Sequence, residues 1–224
     1  MLRNLFKTAF RNMLRRRGFS LLNIAGLALG MAAFLLIFRY VAFELSYEDF
    51  HPDRERVFFL GLKNEKSTGE NNYNQLPPAL KPVLERLPEV QAVARFEQVD
   101  YQNNSLIVEE NGEKRVYEDQ GMYFADAGFY EVLGFPLKEG SQQALKEPWQ
   151  IVLSAEAAQT LFPDGDALGR SMKVSGNTGD YDYTVAGVLE PFPANTHFYC
   201  AALFSYPSMF VLENEDPDTR WTGW

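Results

Sequence analysis

Cysteine is almost absent from this 224-residue chain. Cys200 stands alone, which excludes an internal disulfide framework and any CxxC zinc or redox motif. Histidine is nearly as scarce, with only His51 and His197, so nucleophilic catalysis and metal binding have few groups to draw on. Glycine and proline, at 16 and 12 residues, are too few for collagen-like or low-complexity sequence. Basic charge is in deficit: 21 Lys and Arg face 30 Asp and Glu, which excludes nucleic acid as the main partner. Long apolar runs are missing too, with one exception, and a mean hydropathy of −0.26 excludes a polytopic membrane protein. What is present is a 46% hydrophobic composition, enough to exclude a disordered chain.

The charge is unevenly placed. Residues 1–18 hold Arg3, Lys7, Arg11, Arg15, Arg16 and Arg17 and no acidic side chain, leaving 15 basic and 30 acidic residues in the remainder. Between the two regions lies the exception, Phe19–Phe38, with no charge at all. At about 1.5 Å per helical residue it spans roughly 30 Å, one bilayer core. The run is longer than a signal-peptide core, and no A-x-A-like cleavage site follows it. The arginine cluster beside it also argues against a buried core helix. We read residues 19–43 as a transmembrane helix. The basic flank places residues 1–18 in the cytoplasm and residues 44–224 outside.

Two patterns refine that reading. Leu2, Leu5, Phe6, Ala9, Phe10, Met13 and Leu14 recur every three or four residues, with Arg3, Lys7, Arg11 and Arg15 on another face. This predicts an amphipathic helix over residues 2–15, lying in the interface against membrane lipid. Within the span, Gly26 and Gly30 form GxxxG and Ala33 extends the small-residue face. Asn23 adds an amide that needs a partner in lipid. Together they predict packing against another helix.

The outer region reads as one α+β domain with antiparallel hairpins. Val57–Leu62 is expected to be a buried strand, Lys63–Gln75 a loop, Pro77–Leu87 a helix and Val90–Gln98 a strand. Ser105–Glu110 and Glu113–Asp119 flank Asn111-Gly112, a strong hairpin signal. Asp126 caps a short helix, Ala127–Leu133, that Gly134 ends. Ile151–Ser154 leads into a helix, Ala155–Phe162. Ser171–Val174 and Tyr181–Leu189 form a second hairpin.

No catalytic constellation, cofactor site or metal site emerges. GDALGRS, Gly165–Ser171, sets its glycines one residue too close for a Walker A loop and has Arg170 where that loop needs lysine, so it reads as a turn. His197 and Cys200 are spaced like two metal ligands, but nothing nearby completes a tetrahedral set. Asp49, His51 and Asp53 alternate where the chain leaves the span and read as a polar exit segment. Asn71, in the loop Lys63–Tyr73, with Asn104 and the tip Asn111-Gly112, are candidate partner contacts, because exposed loops on a rigid scaffold usually carry recognition.

Several segments in order resemble one family. FKTAFRNMLRRRGFSLLNIAGLALGMAAFLLIFRYVAFELSYEDFH, Phe6–His51, is similar to the start of MacB-like and FtsX-like ABC-transporter permeases, including an ELSY-x-x-FH stretch after the first span. ADAGFYEVLGFPLKEG (Ala125–Gly140), IVLSAEAAQTLFPDGDALGRSMKV (Ile151–Val174) and YTVAGVLEPFPANTHF (Tyr183–Phe198) resemble later family segments. The resemblance covers nearly the whole chain. It implies a MacB-like periplasmic core domain behind one inner-membrane helix, with no enzyme activity of its own. It implies a separate ABC ATPase subunit whose hydrolysis drives efflux of drugs or lipoproteins by mechanical transmission. It also implies further permease helices or a second copy, and that the chain is the N-terminal part of a longer permease or a truncated copy of one; a periplasmic protein partner is expected from the acidic surplus and the exposed loops. The alternative from the residues alone is a stand-alone anchored binding or sensor module.

Overall fold

The computed structural model describes residues 2–51, 53–63, 72–73, 76–99, 104–118, 121–176 and 179–221. The chain divides into two compact units, Met1–Tyr47 and Glu48–Trp224.

The first unit is helical. α1 runs Leu2–Arg15 and α2 runs Arg17–Glu44. α2 is long and apolar enough to cross a membrane, and none of its residues is buried. Its exposed face includes Leu21, Leu22, Phe34 and Phe38. A Cβ built at Gly26 or Gly30 meets nothing within 4 Å. Lys7, Arg11 and Arg15 are exposed on α1, as are Phe10 and Met13.

The second unit is a mixed sheet with short helices. In chain order its elements are β1 (Leu62–Lys63), β2 (Asn72–Tyr73), α3 (Leu80–Leu84), β3 (Phe96–Gln98), β4 (Ser105–Glu110), β5 (Glu113–Glu118), β6 (Met122–Ala125), α4 (Gly128–Leu133), β7 (Leu137–Gly140), β8 (Gln150–Leu153), α5 (Ala155–Leu161), β9 (Ser171–Gly176), β10 (Gly179–Leu189), β11 (Ala202–Ser205) and α6 (Pro207–Glu213). Among the described residues the main sheet follows the order β3-β6-β11-β8-β10-β9-β4-β5, with β7 added to β10. β8 and β10 are parallel, as are β6 and β11; the remaining pairs are antiparallel.

The central strands are buried on both faces, which is why they read as continuous apolar runs. Ile151 and Leu153 of β8, with Ala202 and Phe204 of β11, face one core with Leu106, Met172 and Val185. Val152 and Leu203 face the other, with Phe129, Phe135 and Leu145. Ser154 caps α5 by accepting from the Ala157 amide at 3.1 Å. At the β4–β5 turn, Asn111 and Gly112 take φ of 53° and 80°, the left-handed pair a tight hairpin requires.

Three expectations change. Val57–Leu62 is not a buried strand: residues 57–61 join no sheet, and Phe58 and Phe59 are 79% and 69% exposed. Only Leu62 and Lys63 pair, with Tyr73 and Asn72. The helix expected over Pro77–Leu87 shrinks to α3, because Pro77 and Pro78 cannot donate and Pro82 removes one internal bond. The strand expected over Val90–Gln98 shrinks to β3, because its partner β6 is short: Phe96 already faces Ala125, the end of that strand.

Candidate functional site

Glu48 opens the second unit, four residues beyond the end of α2. Its φ of 59° is left-handed, which turns the chain sharply at a residue with a side chain. Its amide donates to the Asn195 carbonyl at 3.0 Å. Its carboxylate is then clasped from two sides. From the β10–β11 loop, the His197 amide donates to Oε1 at 2.6 Å and His197 Nδ1 lies 3.2 Å from the same oxygen. The Thr196 hydroxyl lies 3.2 and 3.1 Å from the two oxygens. From its own segment, His51 Nε2 lies 2.8 Å from Oε2. The other ring nitrogen of His51, Nδ1, bonds the carbonyl of Leu133 at the end of α4.

Burial alone would push the Glu48 carboxyl up. The backbone N–H of His197 and the side chains of Thr196, His51 and His197 outweigh it, so Glu48 is held below its ordinary value. It is an ionised acceptor gripped by donors from two loops.

The clasp sits on an aromatic floor. The Phe50 and His51 rings lie 4.1 Å apart, and Phe135 meets them at 5.2 and 5.5 Å. Phe198 lies 5.2 Å from Phe135 and Phe129 stacks on Phe135 at 5.7 Å. Phe192 closes the group at 5.3 Å from Phe135. Gly134, at φ 68°, ends α4 so that Leu133 and Phe135 both point into this corner.

A second polar cluster is structural. Asp126, 8% exposed at its side chain, accepts the Gly128 amide at 3.0 Å and so starts α4. Lys81 lies 2.9 Å and Arg95 3.2 Å from its other oxygen. Arg95 also reaches Asp218 at 2.6 Å and sits over the Tyr206 ring at 4.3 Å. Burial pushes the Tyr206 hydroxyl up to about 12, so it stays neutral there.

The residues singled out in the sequence are dispersed. Asn23, Gly26, Gly30 and Ala33 are exposed on α2. Asn111 and Gly112 are exposed at the β4–β5 tip. Asn104 is half-buried, its side chain filling the space beside Gly176, so it is no open loop tip. Asn71 and the Arg3 side chain lie outside what the structure describes. His197 and Cys200 do different work: Cys200 is buried in the aromatic core while His197 reaches Glu48. Among the described residues no three His, Cys, Asp or Glu are placed to hold a metal ion. The polar exit segment proves heterogeneous: Asp49 pairs with Arg54, whereas His51 turns inward.

Sequence reasoning missed Glu48 and Thr196. They fall in ELSY-x-x-FH and FPANTH, separate segments that only the structure brings to one corner, together with GFP.

The second unit is a mixed sheet domain that follows one apolar helix along the chain, and sequence comparison gives its family. The MacB-like periplasmic core domain model matches residues 20–219, and the chain belongs to that family. Among solved structures, a domain assigned to a permease protein from Porphyromonas gingivalis is similar at TM-score 0.53 and 21% identity, covering 68% of this chain and 66% of that one. The periplasmic region of MacB from Actinobacillus actinomycetemcomitans is similar at TM-score 0.49 and 15% identity, covering 74% and 73%. No curated protein matches the sequence.

Proposed function

We propose that the chain is the N-terminal part of a permease subunit of an ABC transporter, anchored in the inner membrane with residues 1–18 cytoplasmic and the second unit outside. A separate ATPase supplies the energy; this chain transmits motion to drug or lipoprotein efflux and carries out no covalent chemistry. The observation that supports transmission is the Glu48 clasp. The polypeptide that leaves α2 is fastened within four residues to a loop some 150 positions further on and to the end of α4. Motion arriving along the chain at Glu48 therefore meets folded structure of the second unit. Gly26, Gly30, Ala33 and Asn23 supply the face for further permease helices or a second copy. The tip at Asn111-Gly112 supplies one for a periplasmic partner.

The test is reconstitution with the ATPase encoded beside its gene. Glu48→Ala should leave ATP hydrolysis within about twofold while lowering transport output about tenfold or more, the scale of an ordinary coupling energy. Transport at the wild-type level in a folded Glu48→Ala transporter contradicts the proposal.

A further inference from the structure

The two ring nitrogens of His51 both face acceptors: Nδ1 the Leu133 carbonyl and Nε2 the Glu48 carboxylate at 2.8 Å. Neither acceptor can donate, since a carbonyl never does and Glu48 is held ionised by its other donors. A neutral imidazole carries one N–H and can satisfy one of them. The protonated ring carries two and satisfies both. We propose that the clasp is a proton-dependent latch, complete when His51 is protonated and slackened when it is not. This rests on the reading of the clasp as the coupling element.

The surroundings leave His51 few other ways to respond. From its own segment the facing charged group is Glu48; Asp49 is paired with Arg54. The α4 end contributes the Leu133 carbonyl, and residue 135 an apolar ring at 5.5 Å. The β10–β11 loop contributes His197, which shares Glu48 through Oε1. The His51 ring is largely enclosed, at 12% side-chain exposure, so water is poorly placed to replace a lost hydrogen bond. Losing the proton leaves a ring lone pair against an oxygen. The latch therefore depends on the second ring proton of His51, the one that a neutral imidazole lacks. At the acid end Glu48 sets the limit, because its protonation removes the acceptor. The latch is therefore closed while Glu48 is ionised and His51 carries both ring protons.

The experiment uses the full chain in lipid nanodiscs with isotope-labelled histidine. The sequence holds two histidines, so two ring systems appear, and His51→Gln assigns them. Ring nitrogen shifts report protonation. Exchange protection of the His197 amide, corrected for intrinsic rate at each pH, reports whether the latch is closed. Across a pH series, His197 protection should be highest where both ring nitrogens of His51 carry protons and should fall about tenfold where one of them is lost. In His51→Gln the protection should be flat with pH. A His51 that is one neutral tautomer across the whole range overturns the proposal. So does wild-type protection that stays constant while His51 titrates; the clasp then stands without proton control. A His197 amide that exchanges freely at every pH overturns the clasp itself.

Discussion

Tyr130 is buried in the second core, yet its hydroxyl has no hydrogen-bond partner among the described residues. An unsatisfied buried hydroxyl costs about 1–3 kcal/mol, while its ring packs edge-on to Phe129 at 5.7 Å. Tyr130→Phe should keep the packing, remove the cost and raise the unfolding free energy by about 1 kcal/mol. A lower unfolding midpoint for that variant would show that the hydroxyl has a partner after all. Glu48 carries the opposite case, a charge whose neighbours favour it. Its folded pKa is lowered, so its contribution to stability is fully present above the unfolded carboxylate value and is lost as pH falls through the folded one. Glu48→Gln should be less stable than wild type near neutrality by about 1–3 kcal/mol. Unfolding curves of the two proteins should converge in acid, and a gap that persists there would assign the loss to something other than the charge.

Among the elements, those whose local signal agrees with their burial were legible. The Asn111-Gly112 hairpin and the Asp126 and Gly134 boundaries of α4 follow from turn and cap chemistry at named residues, and the β8–α5 passage and the β9–β10 pair from their apolar pattern. β6, β7, β11 and α6 were not anticipated. β6 and β11 are four-residue strands whose partners, each other and β8, lie far away in sequence, so no local pattern marks them. The clasp was illegible for the same reason: it joins positions 48, 133 and 196–197, and spacing along the chain says nothing about that meeting. Val57–Leu62 misled in the opposite direction, since an aromatic run favours a strand but does not supply a partner. Phe59→Ser should therefore change stability by no more than about 0.5 kcal/mol. Phe129→Ala, in the aromatic floor, should cost about 3–5 kcal/mol. Chemical denaturation of both variants decides whether the Val57–Gly61 segment is peripheral. On α2, Gly30→Leu would place a bulky side chain where close helix approach is expected. It should weaken co-purification with other permease helices or a second copy, and unchanged recovery would remove that face from the assembly.

At the scale of the molecule, charge and hydropathy divide as the two structural units do. The first 18 residues carry six basic side chains and no acidic one, and α2 follows with an uncharged run of 20 residues from Phe19 to Phe38. The sheet domain then carries the acidic surplus and belongs to the MacB-like periplasmic core family. The account depends on these halves lying on opposite sides of one membrane. Positive residues near a span are retained on the cytoplasmic side, and the proposal that the sheet domain lies outside rests on that rule. The most direct test is labelling of intact cells with a membrane-impermeant thiol reagent admitted through the outer envelope, comparing Lys7→Cys with Asn111→Cys. Cys200 is fully buried and should stay silent in the folded protein. The account predicts that Asn111→Cys is labelled in intact cells and Lys7→Cys only after the membrane is opened; labelling of Lys7→Cys alone in intact cells would contradict it.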